Sequence, residues 1–389
     1  MRHKRRGRSL NNTGDRERDL STIDLVNSIL DENPVDLSRL RKVCAVKGLV
    51  NNQLRARVWP VLLGVEGVSV SQDEYMQWAH EKHADSSVVD CDVQRSLWSY
   101  TQGWTDEERD AERARLRNIL NAAVSSYSGD VHYYQGLHSV ASVLLFVVKE
   151  HTALAMLQRL VVCHLRDCTR PNLDAVLELL SLLLPVLRVV DPQLHAHIEA
   201  ADMQAHFALS WYITWFAYNL DQLQDAARLY DLFLASHPIM PIYAAAAILT
   251  ASRERILECE ADYAEMHHLL TNLPPLGAMS PDELVRRAAA ISQQCPPKHL
   301  LRKHRSRLVQ ATAAASYKKD GIWHVPDRPS PRKGIIGEQA LSDIAGYMRG
   351  QRMRKKPVAL VSMASAATVL VAALGVYLVN VHPHMASWN

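Results

Sequence analysis

The chain has 389 residues, 48% of them apolar and 22% charged, with 17 prolines and 15 glycines, which suffices for one large core or two ordinary domains and excludes a fibrous or wholly disordered protein. Lysine and arginine number 44 against 41 for aspartate and glutamate, so a formal charge of +3 reflects near-balance. That balance removes nucleic acid as a default partner.

In chain order, residues 1–20 read as a basic flexible arm, and residues 21–47 as N-terminal helices. The first of these begins near Ser21 or Thr22, carries Ile23, Val26, Ile29 and Leu30 on one face, and ends at Asn33-Pro34. The second, from about Asp36 to Lys47, stops at Gly48. Asn51 or Asn52 caps a helix that sends Leu54, Val58, Trp59 and Leu62 inward and closes at Gly64. A helical period runs from Ser71 to Lys82. The charged stretch from Thr105 to Ser125 places Ala111, Ala114, Leu116, Ile119, Leu120 and Val124 on an apolar side, with Asp106, Glu107 and Glu108 at its positive end.

Leu137–Val148, Ala175–Val190 and Ala205–Leu220 are nearly continuous apolar runs, too long for strands and ordinary for core helices. Pro185 is expected to bend or break the second. The patch from Pro238 to Ala251 reads as a buried helix, with membrane contact as its alternative, because its uncharged length falls short of a span. No βαβ cadence or hairpin signature appears, so the expected fold is all-α.

After Leu273 the texture changes to paired prolines and a helix at Pro281–Gln294. A basic stretch follows, with Lys298, Arg302, Lys303, Arg305 and Arg307, which reads as a solvated or anionic-lipid-facing surface. Residues 246–325 form this helical extension, and 326–357 a linker with a basic membrane-proximal segment. From Val358 to Val381 no charged residue occurs. A helix of that length rises roughly 36 Å, more than a hydrocarbon core of about 30 Å, so 358–381 is expected to be a transmembrane anchor. Arg349, Arg352, Arg354, Lys355 and Lys356 precede it, which keeps the N-terminal domain cytosolic and leaves residues 382–389 as a lumenal tail. The basic N-terminus is followed by no apolar h-region, so a secretory signal peptide is not expected, and the Asn11-Asn12-Thr13 sequon would stay unmodified in the cytosol.

No GxxxxGK[ST], GxGxxG or GxSxG occurs, which removes the usual means of holding nucleotide phosphates and the common serine-hydrolase elbow. The chain is therefore not expected to hydrolyse a nucleotide by itself. His80/His83, His195/His197 and His267/His268 lack metal spacing, and no metal is expected. Cys44, Cys91, Cys163, Cys168, Cys259 and Cys295 form no CxxC pair and point to reduced thiols.

Two polar clusters remain. In VVDCDVQRS at 88–96, Asp92 and Arg95 would share a helical face, as a surface ion pair or as an oriented guanidinium. In HYYQGLHSV at 132–140, Tyr133, Tyr134, Gln135 and Gly136 precede an apolar helix, either as a packing turn or as a ligand-facing glutamine.

Taken together, these blocks resemble the TBC (Tre-2/Bub2/Cdc16) domain, a family of GTPase-activating proteins for Rab GTPases. LRARVWPVLLG at 54–64 resembles its opening tryptophan motif, VDCDVQR at 89–95 its IxxDxxR motif with valine first, YYQG at 133–136 its YxQG motif, and ALSWYITWFAYNL at 208–220 its third block. The likeness covers about residues 48–245. It implies a multi-helix Rab-GAP fold in which Arg95 is an arginine finger and Gln135 a glutamine finger. Asp92, Tyr133, Gly136 and Trp59 would support them, while GTP and Mg2+ are carried by the Rab partner and no cofactor is bound by this chain. The size and C-terminal anchor resemble the family's endoplasmic-reticulum member, which implies an endoplasmic reticulum membrane location, membrane lipid as a contact, and Rab1-type partners, with Rab2 or Rab18 as others. The competing readings are a catalytically silent, membrane-tethered Rab-binding scaffold and a lipid-surface adaptor.

Overall fold

A computed structural model of the chain describes residues 13–317, apart from 128–129, 278, 305, 307–308 and 310–311. The first twelve residues of the basic arm, the linker at 326–357, the apolar run at 358–381 and the tail at 382–389 lie outside the described residues.

Local signals fix many of the helices. α1 (Thr13–Leu30) begins eight residues before Ser21, so residues 13–20 of the expected arm are helical and continue the amphipathic turn that buries Val26 and Ile29. Asp36 caps α2 (Leu37–Val46) by accepting from the Arg39 amide. Asn51 caps α3 (Asn52–Leu63), which stops where Gly64 turns left-handed at φ 66°. Reciprocal capping boxes open α4 (Gln72–His80) at Ser71–Glu74 and, after α5 (Ser86–Gln94), α6 (Asp106–Ser125) at Thr105–Glu108.

α7 (Leu137–Val147) and α8 (Glu150–Val162) follow, then α9 (Asp174–Leu180) and α10 (Leu183–Val190). The break in this run falls at Ser181–Leu182, upstream of Pro185, which sits in the first turn of α10. Proline lacks an amide and its ring clashes with the preceding turn, so the interruption appears before it.

α11 (Pro192–Ala200) leads into the run at 205–220, which is not one helix. A 3-10 turn (Ala205–Ala208), the short α12 (Leu209–Ile213) and a second 3-10 turn (Ala217–Asn219) divide it, with Trp215 and Phe216 left-handed at φ 50° and 64°. Left-handed backbone costs about 1–2 kcal/mol per residue, and burying a large aromatic side chain returns about 1.5–3 kcal/mol, so packing wins. Trp215 meets Tyr230 and Phe233 edge-on while Phe216 stacks on Trp211.

α13 (Leu223–Ala235) and α14 (Met240–Ala251) form the centre, and α14 is buried on every side from Met240 to Leu249. Its 12 residues are too few to cross a bilayer, and no described helix is long and apolar enough to do so. α15 (Arg253–Leu257), α16 (Tyr263–Thr271), α17 (Pro281–Gln294) and α18 (Pro297–Lys303) complete the described helices, apart from one turn at Ala313–Ser316. α17 lies along α14 and also touches α13, α10 and α2. One hydrophobic core therefore runs from Val26 to Ala314, and a boundary at 245/246 would cut through α14. No β-strand occurs among the described residues. The fold is all-α.

α6 departs from its expected apolar side. Ala111 and Ala114 are exposed, whereas Arg109, Glu112 and Arg113 are buried in the same two turns. Farther along, Leu116, Ile119, Leu120 and Val124 are buried as the period predicts. The six cysteines are free thiols.

Candidate functional site

α5 ends at Arg95, whose backbone amide caps the helix on the Asp92 carbonyl. One turn earlier, Asp92 points into the protein and is 3% exposed, while the Arg95 side chain remains 60% exposed. Their 3.0 Å ion pair joins Arg95 Nη2 to Asp92 Oδ1, and Arg95 Nε also donates to the Cys91 carbonyl at 3.2 Å. The guanidinium is thus tethered at its base to a buried carboxylate and open to solvent on the rest of its surface.

The other carboxylate oxygen, Asp92 Oδ2, accepts from the Tyr133 hydroxyl at 2.8 Å and lies 3.3 Å from His138 Nδ1. Burial pushes the Asp92 carboxyl up, but His138, Tyr133 and Arg95 together outweigh it and hold it below the ordinary carboxylate range. Tyr133 is pushed well above the usual phenol value by burial and by the neighbouring carboxylate, so its proton stays in the hydrogen bond.

This tyrosine connects the arginine to the second motif. The Tyr133 amide donates to Asp85 Oδ2 at 3.0 Å, and the Tyr134 hydroxyl donates to the Ile213 carbonyl at 2.8 Å. Gln135 follows directly and is half-buried. Gly136 then starts α7 with φ 115°, where a Cβ would approach Thr214 Cγ2 to 3.0 Å. Only glycine takes that backbone without strain, so the backbone of Gln135 is held between a fixed tyrosine pair before it and a fixed turn after it. Gln135 lines a cleft of about 170 Å³ with Tyr133, Tyr134, Arg170, Asn172 and Ile213. A larger depression of about 590 Å³ at Cys259 and His268 contains none of the candidate residues.

Trp59 occupies a different place. It is fully buried, and its Nε1 donates to Asp231 Oδ1 at 2.9 Å. Arg55 reaches the same carboxylate through Nε and Nη2, at 3.1 Å each, and the Leu49 amide donates to it at 2.9 Å. Trp59 therefore braces the α3–α13 contact from the core and makes no hydrogen bond to the Asp92 network.

Motif spacing pointed to Arg95, Asp92, Tyr133, Gln135 and Gly136, and the structure connects them through Asp92 and Tyr133. It adds His138 and Asp85, which the sequence reading did not single out. His138 is the second residue of α7 and lies two positions after YYQG, close enough for the motif itself to have flagged it. The described residues contain no group of three side chains suited to holding a metal ion.

Comparison with known proteins shows the family of the chain. The Rab-GTPase-TBC domain profile matches residues 52–257. TBC1 domain family member 20 of Mus musculus is 35% identical over 309 residues, covering 78% of this chain and 75% of the relative. GTPase-activating protein gyp10 of Schizosaccharomyces pombe is 31% identical over 252 residues, covering 64% of this chain and 66% of the relative. Among solved structures, the Ypt/Rab-GAP domain of Gyp1p superposes with a TM-score of 0.57 at 15% identity, over 71% of this chain and 98% of that one. The Chlamydomonas flagellar RabGAP TBC domain gives 0.54 at 18% identity, over 71% and 95%, so both share its fold. With its motifs in order, its all-helical architecture and a profile match across more than half its length, the chain belongs to the Rab-GTPase-TBC domain family.

Proposed function

We propose that the chain accelerates GTP hydrolysis on Rab GTPases, Rab1-type proteins foremost and Rab2 or Rab18 types next, by supplying Arg95 and Gln135 in trans. The carrying observation is the tether: an exposed guanidinium held at 3.0 Å by a buried carboxylate, which is itself fixed at 2.8 Å by the tyrosine two residues before Gln135. In phosphoryl transfer the protein stabilises spreading negative charge and positions the nucleophile. Arg95 neutralises charge on the transferring γ-phosphoryl group, and the Gln135 amide orients the attacking water. Asp92 and Tyr133 orient Arg95, and Gly136 permits the turn carrying Gln135. GTP and Mg2+ arrive with the Rab.

The apolar run at 358–381 anchors this domain in the endoplasmic reticulum membrane, with the basic segment before it against lipid and residues 382–389 on the lumenal side.

The test is GTP hydrolysis by a panel of GTP-loaded Rabs with the full chain, alone and as Arg95→Ala, Arg95→Lys and Gln135→Ala. An arginine finger contributes about 10³ to 10⁵ in rate in related GTPases, so Arg95→Ala should lose stimulation on that scale. Arg95→Lys should fail as well, because an ammonium lacks the planar donor fork. Full stimulation by either arginine variant refutes the assignment. Rab binding by the wild type without stimulation would instead establish the silent scaffold.

A further inference from the structure

Beyond the residues of the two motifs, the loop after Arg95 is held in an unusual way. Leu97 is left-handed at φ 74°, a backbone that residues with a Cβ rarely adopt. The residues on either side of it are held by Arg109 and Arg113, four residues apart on the buried side of α6. Arg113 Nη2 donates to the Ser96 carbonyl at 3.3 Å, the residue directly after Arg95. Arg109 donates through Nε to Thr101 Oγ1 at 3.0 Å, and through Nη2 to the carbonyls of Thr101 and Trp104 at 3.2 and 3.3 Å. Between these anchor points the Trp98 indole lies over both cations, 4.2 Å from the Arg109 guanidinium carbon and 5.0 Å from that of Arg113. Asp106 and Asp110 each pair with one of the arginines from the exposed side of the helix.

We infer that Arg109, Arg113 and Trp98 form a clamp that positions Arg95, making the two buried arginines positioning residues for hydrolysis. The inference rests on Arg95 being the finger. Two guanidiniums on a rigid helix fix three carbonyls of the loop and one indole face, so residue 96 has little freedom. The backbone of Arg95 is then restrained on one side by α5 and on the other by α6. A finger entering a partner's nucleotide site gains from such restraint, because a misplacement of about 1 Å can cost about 10²-fold in rate. Cation–π contacts strengthen when partly desolvated, as they are between the buried guanidiniums and the half-exposed indole.

The experiment compares the full chain with Trp98→Ala, Trp98→Phe and Arg113→Gln, and with Arg95→Ala as control. It measures kcat and KM for the GTP-loaded Rab that the wild type stimulates, the thermal midpoint, and hydrogen–deuterium exchange over residues 95–104. Trp98→Ala and Arg113→Gln should lower kcat about tenfold, leave KM within about twofold, and speed exchange in 95–104 with α7 unaffected; tenfold corresponds to about 1.4 kcal/mol of lost restraint. Trp98→Phe, which keeps a ring face over the cations, should recover most of kcat. Unchanged kcat and exchange in Trp98→Ala overturn the clamp while leaving the finger standing if Arg95→Ala is inactive. A loss confined to KM also overturns it, since Trp98 would then contact the GTPase directly. If Arg113→Gln does not fold, Trp98→Ala, on a ring 43% exposed, still decides the matter. Absence of stimulation by the wild type on every Rab removes the finger assignment and the clamp with it.

Discussion

Replacing Asp92 by asparagine tests the site at its centre. The carboxylate serves two directions at once: Oδ1 accepts from Arg95 and Oδ2 from the Tyr133 hydroxyl. An amide has only one acceptor oxygen. If that oxygen faces Tyr133, the amide nitrogen opposes the Arg95 guanidinium donor to donor, and the tether is lost. Because Arg95 is 60% exposed, the ion pair itself contributes only about 0–1 kcal/mol to stability. The Tyr133 bond is buried and charge-assisted, and making it neutral costs about 1 kcal/mol. Asp92→Asn should therefore destabilise folding by about 1–2 kcal/mol, read from urea unfolding, and Asp92→Ala by about 2–3 kcal/mol because the buried phenol loses this acceptor. The effect on hydrolysis should be far larger than the effect on folding. An untethered guanidinium is misplaced by about an ångström or more, and kcat should fall about 10²-fold with KM little changed. Wild-type kcat in a folded Asp92→Asn protein would refute the claim that Asp92 positions Arg95.

Gly136→Ala should lower stability by about 1–3 kcal/mol and reduce stimulation, since φ 115° and the 3.0 Å approach to Thr214 force the turn beneath Gln135 to move; a stability and rate equal to wild type would contradict this. Asp231→Ala leaves Arg55 buried without its carboxylate and should cost about 3–5 kcal/mol in the unfolding midpoint, with soluble yield falling accordingly; a loss under about 1 kcal/mol would show that the pair is dispensable. Acid should weaken the fold through two buried histidines. Burial holds His164 down to about 3 and His237 to about 4, from the ordinary 6.5. The unfolded chain takes up these protons below pH 6.5 and the folded one does not, so stability present above 6.5 is lost as pH falls toward 4. Each histidine contributes a slope of up to about 1.4 kcal/mol per pH unit. Equal urea midpoints at pH 7 and pH 5 would refute their burial as neutral imidazoles.

Features decided within four residues of chain were legible. Asn51 caps its helix and Gly64 ends it, and the stretches that open at Ser71 and Thr105 are helices, because the donor and acceptor of each cap lie one turn apart and depend on no distant contact. The D-x-x-R spacing likewise forces Asp92 and Arg95 together once α5 forms. The course of residues 205–220 was not legible, because its left-handed residues answer to rings at Tyr230 and Phe233. The burial of Arg109 and Arg113 was hidden for the same reason. A charged helical stretch reads as a solvent face until the carbonyls of another loop are brought against it.

By itself, then, the amino-acid order pointed to an all-α fold, several helix ends, and the two motifs that carry Asp92, Arg95, Tyr133, Gln135 and Gly136. Tertiary structure alone decided that Asp92 receives Tyr133 from 41 positions away, and that Asp231 neutralises Arg55 across 176. Periodicity and capping are set by neighbours along the helix, whereas a buried charge takes its partner from whichever surface the folded core presses against it.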